Sequence, residues 1–109
     1  MTPLAFVLQR VSALIMVPLV IGHLVLIIYA VRGGLSAAEI LGRTQGSVGW
    51  ALFYGLFVLS VSVHAGLGLR NILDEWTKLS GKATAAVSHT FMAVLLVLGL
   101  RAVIAVVVS

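Results

Sequence analysis

The sequence predicts an all-α integral membrane protein with three transmembrane helices. Of its 109 residues, 61% are hydrophobic and only 9% are charged, and the mean hydropathy is +1.22. A soluble domain of this size buries only about 60–70% of its extended-chain surface, so it has no interior large enough for this much apolar area. Three apolar runs instead have the length of about 20 helical residues that crosses a hydrocarbon core of about 30 Å.

The first predicted span covers residues 11–31, which contain no Lys, Arg, Asp or Glu. This run is longer than the roughly 7–15 apolar residues of a signal peptide, and only Arg10 precedes it as a positive charge, so we expect a retained helix. The second span is expected at about residues 48–70. The third is expected at about residues 84–108, where Arg101 is the single charged residue.

Two polar connections separate these spans. In the first, Ser36 is followed three residues later by Glu39, which is the spacing of a capping box and predicts a short helix. The second connection is expected at residues 74–82, with a turn at Ser80-Gly81. The chain has no cysteine, which excludes disulfides and thiolate or iron–sulfur ligation by its own residues.

The basic residues lie singly between the apolar runs, although the formal net charge is +4. Because they form no patch, nucleic acid is not an expected partner, and the bases are interpreted as interfacial anchors in a lipid bilayer. Four of them fall on one side of the predicted membrane and two on the other, which favours a cytoplasmic amino terminus. The two groups are Arg10, Arg70, Lys78 and Lys82 on the first side, and Arg32 and Arg43 on the second.

His64 has the most informative surroundings, because it lies within an apolar run that ends in a charged segment. An imidazole here could bind haem iron through Nε2 if Ser60 or a backbone carbonyl accepted the Nδ1 proton, and Gly68 would leave a gap for a porphyrin edge. A hydrogen bond between helices or a proton relay would also explain the histidine. The residues that share its helical face are Ser60, His64, Gly68, Asn71 and Glu75.

The three histidines are predicted at different depths. His64 is about 9 Å along the helix from Arg70, whereas His23 is about 20 Å from Arg10 and nearer the opposite face. His89 begins the third span and is interpreted as an interfacial residue. We therefore expect no metal site that combines all three imidazoles.

Two short motifs resemble a known family. His64, Gly68 and Asp74-Glu75-Trp76, together with the segment Gln9-Arg10-Val11-Ser12-Ala13, are similar to the small hydrophobic membrane anchor of succinate dehydrogenase, the cytochrome b556 D-type subunit of bacterial succinate:quinone oxidoreductases. The resemblance extends over nearly the whole chain in length, number of spans and placement of the connections. It implies pairing with a second three-helix anchor, the C-type cytochrome b subunit.

The resemblance also implies roles for individual residues. His64 would be one axial ligand of a haem b iron, and the C-type anchor would supply the other. Arg10 would neutralise a haem propionate, and Asp74, Glu75 and Trp76 would contribute to the quinone site. Trp76 stands where the family usually has tyrosine, and an indole donates a hydrogen bond but cannot release a proton as a phenol can. Alternatively, Trp76 is an interfacial residue and the acids form a solvated network with Arg70 and Lys78.

His23 departs from the relatives with a single haem, which usually carry no histidine at this position. Arg101 lies about 22 Å along the third span from Ala86, close to the expected level of His23. A second haem, with His23 on its iron and Arg101 at a propionate, would explain both residues. The alternatives are hydrogen bonds from both residues to neighbouring helices, or an Arg101 side chain that extends to the interface.

The resemblance implies a subunit that docks a flavoprotein and an iron–sulfur subunit on the bacterial inner membrane. It would help to pass electrons from succinate to ubiquinone or menaquinone, without being catalytic by itself. One alternative is the anchor of a fumarate reductase, which runs electrons in the opposite direction. A small transporter is a different class, but it predicts four spans and a buried acid, whereas all acids here lie outside the spans. An accessory membrane subunit without haem is the remaining class.

Overall fold

The computed structural model describes residues 3–108, which form four helices and no β-strand. Three of the helices are long and apolar enough to cross a membrane, so the predicted all-helical fold with three spans is confirmed. The protein is elongated, with extents of 48 × 24 × 23 Å. The helices are α1 (Pro3–Arg32), α2 (Ala37–Thr44), α3 (Val48–Trp76) and α4 (Gly81–Val107).

The long helices extend beyond the apolar runs from which they were predicted. α1 begins at Pro3 and α3 continues to Trp76, so the prediction of a polar loop over residues 74–82 is wrong. The connection is only residues 77–80, and Asp74, Glu75 and Trp76 form the last turn of α3. A helix of 29 residues is about 43 Å long, so its backbone hydrogen bonds continue past the hydrocarbon core of about 30 Å.

Serine side chains begin three of the helices. Each hydroxyl accepts a hydrogen bond from the backbone N–H three residues later, at 3.1–3.2 Å, which satisfies one of the free donors of the first turn. The short helix predicted from Ser36 and Glu39 is therefore confirmed as α2. The Glu39 carboxylate, however, pairs with Arg43 at 3.2 Å. The three capping residues are Ser36, Ser47 and Ser80.

α2 covers the carboxyl end of α4. The Thr44 Oγ1 lies 2.7 Å from the Val106 carbonyl oxygen, and the Gly46 N–H donates to the Val107 carbonyl at 2.7 Å. Gly46 has φ +73°, a conformation that glycine adopts without a steric penalty. The connection between α1 and α3 therefore satisfies carbonyls that the last turn of α4 leaves free.

The interior of the bundle is polar and its surface is apolar. α3 packs between α1 and α4. In the described chain only two hydrophobic residues, Leu19 and Ala30, are buried, and most large aliphatic side chains are exposed. Small hydroxyl residues allow membrane helices to approach closely, because lipid already solvates the apolar side chains. The buried polar residues are Ser12, Thr44, Ser60, Ser62, Thr84 and Ser88.

Two glycines set the contact between α3 and α4. A Cβ atom added to Gly99 would lie 2.5 Å from Cγ1 and 2.9 Å from Cγ2 of Val58, and one added to Gly66 would lie 2.5 Å from Cε of Met92. The Met92 side chain is flexible and can move, whereas the β-branched Val58 has one strongly preferred rotamer in a helix. Gly99 is therefore the less replaceable of the two.

We expect Gly99→Ala to lower the free energy of unfolding by about 1–3 kcal/mol, the usual effect of overpacking. Gly55→Ala is the matched control, because a Cβ atom at Gly55 would meet nothing within 4 Å. It should be neutral or stabilising by up to about 1 kcal/mol through helix propensity. Thermal denaturation of the purified protein in one detergent measures both variants. Equal melting temperatures for the two would contradict the close packing at Gly99.

Candidate functional site

The His64 imidazole lies against α1 and not against its own helix. Its Nδ1 is 3.3 Å from Ser12 Oγ, and that hydroxyl lies 3.1 Å from the Gln9 carbonyl oxygen. Because the Ser12 hydroxyl donates to the Gln9 carbonyl, Ser12 Oγ can accept a hydrogen bond from His64 when Nδ1 carries the imidazole proton. Nε2 is then unprotonated, and it makes no hydrogen bond within residues 3–108. In this tautomer the imidazole can bind a metal ion through Nε2.

The expectation that Ser60 or a backbone carbonyl orients His64 is wrong. Ser60 is buried on the same helix, but it makes no hydrogen bond to the imidazole in the described structure. α1 runs antiparallel to α3 and brings Ser12, 52 residues away in sequence, next to the ring. Ser12 belongs to a motif that the sequence shows, but its contact with His64 depends on the register between α1 and α3.

Gln9 occupies the gap that Gly68 leaves. A Cβ atom added to Gly68 would lie 3.5 Å from Gln9 Nε2, so the amide rests against the backbone of α3 where a porphyrin edge was expected. The Gln9 Oε1 atom is buried and has no hydrogen-bond partner in the described part of the chain. Buried polar atoms rarely stay unpaired, so this atom is able to accept a hydrogen bond from another group.

Arg10 lies in the same turn of α1 as Gln9 and Ser12. It is exposed, and its guanidinium carbon lies 4.9 Å from the centroid of the Phe6 ring. The one ion pair within residues 3–108 joins Glu39 and Arg43, so Arg10 has no carboxylate partner there. Arg10 is two residues from Ser12 and therefore projects from a different side of α1, so only its long side chain could bring this charge towards His64.

The acidic and aromatic group ends α3 on the same side of the bundle as Arg10. Asp74 and Glu75 are exposed, and neither forms a salt bridge with Arg70 or Lys78 within the described chain. The alternative of a charge network among these residues is therefore not observed. Trp76 is 81% exposed and lies about 18 Å along the helix from His64.

Comparison with known proteins identifies the family. The sequence matches the family described as "Succinate dehydrogenase/Fumarate reductase transmembrane subunit" over residues 2–107. The chain belongs to this family. It is also 35% identical, over 94 residues, to a protein of Archaeoglobus fulgidus named "Succinate dehydrogenase hydrophobic membrane anchor subunit". The alignment covers 86% of this chain and 80% of that relative. No solved structure matches the chain.

The family agrees with the fold and with the resemblance deduced from the two motifs. The chain is a multi-pass membrane protein and a membrane anchor subunit of the succinate dehydrogenase and fumarate reductase family. The relative is archaeal, so the expected location in a bacterial inner membrane stays a prediction.

The anchor has a cavity of about 370 Å³ near its other end, where His23 contributes to the wall. The imidazole centroid lies 5.0 Å from the Phe57 ring and 6.3 Å from the Tyr54 ring, both in edge contacts. His23 makes no hydrogen bond within residues 3–108. Thr44 from α2 and Gly99 from α4 complete the enclosure.

Arg101 and His89 lie outside this cavity. Arg101 is exposed, and its helical position places it opposite Gly99 and Val103, which face the cavity. The structure therefore brings His23 and Arg101 to a similar level but on different sides of α4. His89 is exposed and has no hydrogen-bond partner in the described residues.

Arg43 lies in an aromatic enclosure, although its position in the sequence predicts only an interfacial base. The guanidinium carbon lies 5.2 Å from the centroid of Tyr29 and 5.8 Å from that of Trp50, and Glu39 pairs with it at 3.2 Å. The spacing of Glu39 and Arg43, four residues apart, is the sequence pattern that indicates such a pair. The cluster joins α2 to the ends of α1 and α3.

Proposed function

We propose that His64 Nε2 is one axial ligand of a haem b shared with a second, C-type anchor subunit. The observation that carries this proposal is the hydrogen-bond chain from His64 through Ser12 to the Gln9 carbonyl, since it favours the tautomer in which Nε2 carries no proton, and Nε2 has no partner within residues 3–108. Metal-bound histidines have their other nitrogen oriented in this way. A haem bound there supplies a one-electron carrier whose potential depends on axial ligation and burial.

Arg10 would hold a propionate of the same haem. Its guanidinium is exposed, free of carboxylates in the described structure, and in the same turn as the Ser12 that orients His64. A guanidinium binds a carboxylate through two parallel hydrogen bonds. The unpaired Gln9 Oε1 would accept a further hydrogen bond from a bound group or from the partner subunit.

The anchor would dock a flavoprotein and an iron–sulfur subunit on the side that carries Arg70, Lys78 and Lys82. The family and the name of the archaeal relative support this role, and the excess of basic residues supports a cytoplasmic location for this side. Electrons from succinate would pass through the iron–sulfur subunit to ubiquinone or menaquinone. A fumarate reductase anchor would have the same contacts and the opposite electron flow.

The last turn of α3 would contribute to the quinone site. The Trp76 indole N–H can donate a hydrogen bond to a quinone carbonyl, and the side chain is exposed and unpaired in the described chain. Reduction of a quinone to a quinol takes up two electrons and two protons. Asp74 and Glu75 are free of salt bridges within residues 3–108, so their carboxylates can carry those protons from water.

We expect Trp76→Phe to raise the KM for quinone about 2–10-fold, because a single hydrogen bond contributes about 0.5–1.5 kcal/mol. Succinate oxidation with a soluble dye should stay unchanged, since that reaction bypasses the membrane site. His89→Phe is the control, because His89 is also exposed on this side of the bundle. An unchanged KM for quinone in Trp76→Phe would contradict a role in quinone binding and indicate that Trp76 is only an interfacial residue.

Purification of the complex through a tag on this chain tests the overall proposal. We expect flavoprotein and iron–sulfur subunits to copurify, with succinate:quinone reductase activity and the α-band of haem b after dithionite reduction. Copurification without an α-band would contradict the haem proposal and support an anchor that contains no haem. Absence of the catalytic subunits would contradict the docking role.

A second haem at His23 stays a prediction. The imidazole is free of hydrogen bonds in the described structure and borders the cavity of about 370 Å³, but the Phe57 and Tyr54 rings lie against two of its sides. A porphyrin would therefore have to approach from the cavity. Arg101 has no geometric support as its propionate partner, because it projects from the opposite side of α4.

A further inference from the structure

The outward side of α4 carries a shallow apolar groove that no other helix of the chain covers. Its volume is about 460 Å³, and Thr90, Ala93, Val94, Val97 and Leu98 line it. Arg101 continues the same helical face, because it follows Val94 by seven residues, Val97 by four and Leu98 by three. A positive charge therefore stands at one end of an apolar channel.

The groove and Arg101 together extend along α4 for about the thickness of one membrane leaflet. Arg101 lies about 9 Å from the last residue of α4, and Thr90 lies about 16 Å further along the helix axis. Half of a hydrocarbon core is about 15 Å. A molecule with its head at Arg101 would therefore have its tail beside Thr90.

Arg101 needs an anion that this chain does not supply. The one ion pair within residues 3–108 is that of Glu39 and Arg43, and an arginine within a spanning segment is costly unless it is paired or reaches the interface. Its long side chain can reach the headgroup level while its methylene groups stay in the apolar layer.

We propose that this face binds one anionic phospholipid of the leaflet on the α2 side. The phosphate would lie at the Arg101 guanidinium, which forms paired hydrogen bonds to phosphate oxygens. One hydrocarbon chain would lie in the groove between Leu98 and Thr90. The net negative charge of the lipid complements the single positive charge of Arg101, and the apolar walls complement its chain. The site is independent of the haem and quinone proposals.

Native mass spectrometry of the detergent-purified complex, titrated with phosphatidylglycerol or phosphatidylcholine, tests this site. We expect phosphatidylglycerol to bind more tightly, and Arg101→Gln to weaken its binding about 10-fold, as expected for loss of a charged hydrogen bond. Ala93→Leu should also weaken binding, because it narrows the groove and keeps the charge. Arg32→Gln is the control, since Arg32 is exposed at the same end of the bundle but on α1.

The proposal fails if the two lipids bind equally or if Arg101→Gln leaves phosphatidylglycerol binding unchanged. It also fails if Arg101→Gln lowers only the yield of a partner subunit, because the guanidinium would then pair with a protein carboxylate. Displacement of the lipid by millimolar inorganic phosphate would show that the groove contributes nothing, and would overturn the role given to Thr90–Leu98.

Discussion

Replacing His64 with alanine is expected to remove haem b from the purified complex almost completely. The axial bond from Nε2 is lost, and the part of the chain that the structure describes offers no other imidazole near Ser12. His64 is only partly buried, so the three-helix anchor should still assemble with its catalytic subunits. Pyridine haemochrome content per flavin measures the change.

Two histidine variants complete this experiment. His89→Ala should leave the haem content unchanged, because His89 is exposed and unpaired in the described structure. His23→Ala distinguishes one haem from two: the content halves if His23 binds a second iron and stays constant if it does not. Unchanged haem content in His64→Ala, with normal assembly, would contradict the proposed ligand.

The second large effect is expected from Ser12→Ala. Removing the hydroxyl leaves the Nδ1–H of His64 without its acceptor, so the ring can rotate or change tautomer. Loss of such a partner typically lowers metal affinity about 10–100-fold. We expect faster transfer of haem from the purified complex to apomyoglobin, and a shifted midpoint potential for the haem that remains.

Ser60→Ala is the matched control for Ser12→Ala. Both serines are buried, but Ser60 makes no hydrogen bond to His64 within residues 3–108. Haem transfer from Ser60→Ala should match that of the unmodified complex, and circular dichroism should show the same helicity for both variants. Faster haem loss from Ser60→Ala than from Ser12→Ala would reverse the assignment and restore the expectation from the sequence.

The fold was predictable because the bilayer leaves few alternatives. Without water to satisfy its polar groups, a spanning backbone forms a helix or a closed barrel, and runs of about 20 apolar residues predict helices. The helix ends were less predictable. Polarity alone predicts a loop at Asp74 and Glu75, but carboxylates do not stop a helix and the α3 backbone continues to Trp76.

The candidate site was only partly predictable, because its contacts join residues that are distant in sequence. His64 was identified from its position within an apolar run, and Arg10 and residues 74–76 from motif resemblance. The pairing of Ser12 with His64 depends on the register of α1 against α3. Arg101 and His23 lie on different sides of α4 because of the rotation of α4 about its axis. Sequence position predicts that the two residues have a similar depth in the membrane, but it does not predict this rotation.

An experimental density map of the assembled complex around the His64 ring tests the central claim most directly. The account predicts continuous density from Nε2 to a central iron, a second imidazole on the far side of the porphyrin, and Ser12 Oγ within hydrogen-bond distance of Nδ1. Lipid or side chains packed against Nε2, or a hydrogen bond from Nε2 to another helix with no porphyrin present, would contradict it.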